Sequence, residues 1–177
     1  MHLEPRQERI KFLRRQEDRT KRLPILLADL SRLIERPISE EEVLSLVQID
    51  EHQAQLNATD FDFNFINISF PENKTNELVK LLSNLKDHLT RMNYFALSHY
   101  SDIAVMNLET SFVLQNIEEI IKLDGDTFTV YDHSYKNGLW IDLFQEFWYL
   151  ENKTERISIY ELRVFGRDWT KQIVSGL

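Results

Sequence analysis

Cysteine is absent from the 177 residues, which excludes a disulfide framework, a thiolate nucleophile and any cysteine-based zinc or iron–sulfur site. Glycine and proline are scarce, four of each. Positions that tolerate positive φ or let the backbone approach a phosphate closely are therefore few, which disfavours nucleotide enzymes. No stretch approaches the roughly 18 apolar residues of a membrane span, so no membrane partner is expected. The opening Met1-His2-Leu3-Glu4-Pro5-Arg6 lacks the apolar run of a signal peptide, and the chain reads as cytoplasmic. On that reading the glycosylation-type triplets at Asn57, Asn67, Asn73 and Asn152 are by-products of an Asn-rich composition.

What is present is an ordinary globular balance, 42% hydrophobic and 28% charged, at a length typical of one domain. A domain of this size buries roughly two-thirds of its unfolded surface and needs no staple. Net charge is −8, unevenly spread. Residues 1–22 hold eight Lys/Arg and four acids, a net of +4, which leaves −12 for residues 23–177. The expected organisation is a basic helical arm, 1–22, on a single acidic α+β domain, 23–177. Such a body repels nucleic acid and steers toward basic partners.

Along the chain, i,i+4 pairs such as Glu17/Lys21 point to a solvated helix, or to a nucleic-acid-binding arm, over 6–22. Pro24 is expected to open a new helix whose Ile25, Leu26, Leu27, Leu30, Leu33 and Ile34 face the core, with Pro37 as its stop. Ser39 and Glu42 have capping-box spacing for a helix running to about Leu56. Residues 60–70 alternate as a strand: Phe61, Phe63 and Phe65 first, then Ile66, Ile68 and Phe70 after a change of phase, with Pro71 as the end. Leu78, Leu81, Leu82, Leu85, Leu89 and Met92 predict one amphipathic helix over 75–92. Short strands are expected at 94–100 and 103–108, a helix at 109–123, and a turn at Asp124-Gly125-Asp126.

The C-terminal third predicts a three-stranded meander, 127–132, 139–150 and 157–165. Its turns fall at Lys136-Asn137-Gly138 and at residues 151–154, and a closing helix spans 167–174. Helices first and a meander last argue for α+β: N-terminal helices packed on an antiparallel sheet, ending in the meander and a short helix.

No P-loop, dinucleotide fingerprint or nucleophile elbow is present. His2, His52, His88, His99 and His133 show no metal-binding spacing, and no cofactor or metal is expected. Period-two alternation gives the strand 139–150 two faces. Leu139, Ile141, Leu143, Phe147 and Tyr149 form an apolar one that suits the core. Trp140, Asp142, Phe144, Glu146 and Trp148 form a mixed one. Aromatics beside carboxylates are typical anchors for a basic protein partner. The alternative is that an N-terminal helix covers this face. Glu161 and Arg163 share a side of the next strand. With Asp142 they also resemble a degenerate Mg²⁺-dependent nuclease pattern, although Arg stands where Lys is usual and cannot serve as a base. A cross-strand Glu–Arg pair is the plainer reading. The favoured function is therefore partner binding through Trp140, Asp142, Phe144, Glu146, Trp148 and Glu161, of the immunity or antitoxin kind that neutralises a basic protein such as a nuclease toxin.

Overall fold

A computed structural model describes residues 5–59, 65–150 and 153–177. Phe61 and Phe63, and Glu151 and Asn152 of the expected turn, lie outside them. The described chain is a six-stranded antiparallel sheet in the order β1-β6-β5-β4-β2-β3, with helices packed on it. Helices α1 (Pro5–Leu33) and α2 (Leu46–Ala58) precede β1 (Phe65–Pro71). Then come α3 (Thr75–Leu82), α4 (Lys86–Leu89), β2 (Met92–Leu97), β3 (Met106–Glu109) and α5 (Ile117–Asp124). The chain ends with β4 (Thr127–Tyr131), β5 (Gly138–Leu150), β6 (Lys153–Phe165) and α6 (Arg167–Ser175). The α+β architecture with its terminal meander and closing helix is as the sequence pattern requires.

Pro24 does not open a helix; it lies inside α1. A proline there removes one backbone hydrogen bond and crowds the preceding turn, at a cost of about 3 kcal/mol. Tertiary anchors on both sides hold the helix together. Before the proline, Arg15, Arg19 and Arg22 donate to the carbonyls of Asp102, Ile103 and His99. After it, Leu26 and Leu30 are buried in the core, although Ile25 points to solvent.

The Ser39 signal also resolves differently. Only a 3₁₀ turn, Glu40–Glu42, follows it. Glu42 accepts from the Ser39 backbone N–H at 2.9 Å but is claimed on its other oxygen by Arg36 at 2.6 Å. The Arg36 guanidinium holds the Glu42 carboxyl down at about 2. The capping box that starts α2 belongs to Ser45 and Gln48, which exchange side-chain and backbone bonds at 2.8 and 3.3 Å.

The leucines of 75–92 are all buried, but their helix is interrupted by a 3₁₀ turn, Ser83–Leu85, and Met92 opens β2 instead of closing the helix. In 109–123, a 3₁₀ turn, Ser111–Leu114, precedes α5. Gly125 closes α5 with φ 96°, the left-handed C-cap.

One sheet face carries Phe70, Phe95, Phe128, Val130, Leu139, Ile141, Leu162 and Val164. It packs against Leu26, Leu78, Ile120, Trp169 and their neighbours to form the main core. On the other face, α2 covers the β2–β3 end through Leu46 and Ile49, packed with Ala96 and Val105. Phe65, Asn67, Ser69, Trp140 and Arg163 on that same face are exposed.

The β4–β5 connection closes with Asp132 N–H donating to Asn137 O at 3.0 Å. Tyr135 takes the left-handed conformation there, φ 58°. Asn137 does more than turn the chain. Its side-chain oxygen accepts from the N–H groups of Asp168 and Trp169, capping α6 across the fold.

Candidate functional site

The last two strands of the meander outrun their neighbours. β4 pairs with β5 only over Gly138–Asp142, and β1 pairs with β6 only over Ile159–Phe165. The remaining stretches, Gln145–Leu150 and Lys153–Ser158, pair with each other alone. Six residues at about 3.4 Å each make a two-stranded ribbon about 20 Å long that leaves the sheet.

This geometry corrects one expectation. Phe147 shares the side of Leu139 and Ile141, as alternation requires, but it is 64% exposed. The helices that bury Leu139 and Ile141 do not reach along the ribbon. Leu143, at the transition, is half-buried.

All six expected contact residues share one face. The register places Trp140 opposite Arg163, Asp142 opposite Glu161, Phe144 opposite Ile159, Glu146 opposite Ile157, and Trp148 opposite Glu155. Trp140 is 38% and Trp148 40% exposed, so neither is covered by a helix. Phe144 is half-buried and Glu146 exposed. Glu155, exposed beside Trp148, is a member the sequence reading missed, because the strand register that sets it opposite Trp148 comes only with the folded hairpin. By register the face holds Asp142, Glu146, Glu155 and Glu161 against Lys153 and Arg163, four acids and two bases.

The two ends of the face differ in how far their charges are already used. At the sheet end, Glu161 is 13% exposed, accepts from Asn67 Nδ2 at 2.6 Å and pairs with Arg163 at 2.6 Å. The Asn67 hydrogen bond, followed by the Arg163 bond and charge, holds its carboxyl below the ordinary glutamate range. The Arg163 guanidinium also lies 5.1 Å from the Trp140 ring centroid. Asp142 accepts from Thr127 Oγ1 at 2.8 Å. The carboxylates and Arg163 of the nuclease-like pattern are thus brought together. They are engaged with Thr127, Asn67, Trp140 and one another, and the Glu161–Arg163 pair runs along β6, between residues two apart, instead of between strands as expected. At the ribbon end, Trp148 Nε1 donates to Glu146 at 2.9 Å, and Glu155 stands across the ribbon.

Two other clusters were invisible in the sequence because their members are far apart in it. His99 Nδ1 donates to the Asp124 carbonyl at 2.6 Å and lies 3.4 and 3.9 Å from the Asp124 and Asp126 carboxylates. With that nitrogen committed, the group pins the β2 end to the α5 cap. His52, buried on α2, shares a hydrogen bond between its Nδ1 and Tyr135 Oη at 3.1 Å and packs edge-on to Tyr94 at 4.7 Å. Burial pushes its imidazole down to about 4, so it is neutral.

Comparison with family models, curated proteins and solved structures finds no match.

Proposed function

We propose that the chain is an acidic protein-binding domain of the immunity or antitoxin type, acting in the cytoplasm to neutralise a basic protein partner such as a nuclease toxin. The observation that carries this reading is the ribbon face, on which Trp140 and Trp148 are exposed among four carboxylates beyond the cover of any described helix. Exposed aromatics able to bury large area, set among charges in which acids outnumber bases, have the composition of an interface centre with a selective rim. A −12 body adds long-range attraction for a basic partner and accelerates the encounter. No helix of the described chain is long and apolar enough to cross a membrane.

The test is affinity capture from the native host with the intact chain and with Trp148→Ala. A basic protein retained by the first and lost by the second is the expected result. The substitution should weaken the isolated complex by about 2 kcal/mol or more, as loss of a central aromatic anchor does. Magnesium should have no influence. Mg²⁺-stimulated cleavage of DNA or RNA by the purified chain, abolished by Asp142→Asn, would replace this reading with the nuclease one.

A further inference from the structure

Two features of the ribbon define the kind of segment it can take. The first is a free strand edge. Leu143 N–H donates outward, to Asp126 O at 2.8 Å, the last bond between β5 and the β4 side. In an antiparallel ladder the N–H and C=O of one residue point to the same side, and the side alternates along the strand. Gln145 and Phe147 therefore direct their N–H and C=O groups outward as Leu143 does, but β4 has ended. Such a row is a template for an added strand.

The second feature is a pattern that occurs twice on the same face. At the sheet end, an indole (Trp140), a carboxylate (Glu161) and a guanidinium (Arg163) form a complete set, with Arg163 held at 2.6 Å by Glu161 and 5.1 Å from the ring centroid. At the ribbon end, Trp148 has Glu146 bonded to its indole N–H and Glu155 opposite. The set at the sheet end shows which side-chain chemistry an indole beside a carboxylate suits.

We infer that the partner docks an extended basic segment as an added strand along the free edge of β5, with a Lys or Arg side chain seated on Trp148 between Glu146 and Glu155. This deepens the binding reading above and rests on it. A strand with period-two alternation supplies both halves of the recognition. Basic side chains on one side meet Glu146, Glu155 and Trp148, while apolar ones on the other lie along Leu143 and Phe147.

The probe is an eight-residue peptide alternating arginine and valine, titrated into the full-length chain labelled for NMR. Its companion has the same sequence with alternate backbone nitrogens methylated. The first should shift the Trp148 indole resonance and slow hydrogen exchange at the Gln145 and Phe147 amides at least tenfold. The methylated peptide should bind at least tenfold more weakly. E146Q/E155Q, both at exposed positions, should weaken the unmethylated peptide by a similar factor and leave the fold unchanged. Equal binding of the two peptides, or a shifted Trp148 with unprotected Gln145 and Phe147, overturns strand addition. Binding unaffected by E146Q/E155Q overturns the cation seat. If neither peptide binds, the inference fails. A captured basic protein that still depends on Trp148 would then show that the broader binding reading survives without it.

Discussion

Phe147→Ala, compared with Phe128→Ala, separates a free-standing ribbon from one folded against the body. A phenylalanine withdraws about 200 Å² from water when fully buried. Phe128 is 0% exposed, and at about 25 cal/mol per Å² its burial contributes about 5 kcal/mol, so truncation with the cavity left behind should cost about 3–5 kcal/mol. Phe147 is 64% exposed. The third of its surface that is covered contributes at most about 2 kcal/mol. Alanine retains part of that, and no enclosed cavity forms, so the expected loss is about 1 kcal/mol. Urea denaturation followed by circular dichroism reads both variants, with unchanged m-values showing that the denatured state is not altered. A loss for Phe147→Ala above about 3 kcal/mol, matching Phe128→Ala, would mean that the ribbon is packed down and that its aromatic face is not free for a partner.

His52 should make stability depend on pH. Its folded-state value of about 4 lies below the ordinary 6.5, so between these values the unfolded chain binds the extra proton. The stabilisation is complete above pH 6.5, is lost as the pH falls to 4, and amounts to about 3 kcal/mol at 1.36 kcal/mol per unit. His52→Gln should flatten that segment in urea melts, and parallel losses in both proteins would contradict it. Gly166 stands at φ 88°, and a Cβ there would lie 2.1 Å from Lys136 O, in the junction where Asn137 caps α6. Gly166→Ala should lower stability by about 1–3 kcal/mol in thermal melts, and an unchanged Tm would show that the junction yields.

Much of the architecture was written locally. Helical spacing placed Leu78, Leu81 and Leu82 inward, and Asn137-Gly138 marked the β4–β5 turn. Period-two alternation put Trp140, Asp142, Phe144, Glu146 and Trp148 on one side of β5, because side-chain direction along a strand depends on the strand alone. Contacts between distant segments decided the rest. Pro24 stays helical because Arg15, Arg19 and Arg22 grip the 99–103 loop. Ser45, not Ser39, caps α2, because Val43 bridges to Met106 and Leu44 N–H donates to Val105 O, which holds that stretch extended. Phe147 and Leu139 have the same orientation and opposite exposure. Alternation assigns a residue to a side of the strand. Whether anything covers that side depends on how far the helices and neighbouring strands extend, and β4 and β1 end before the ribbon begins.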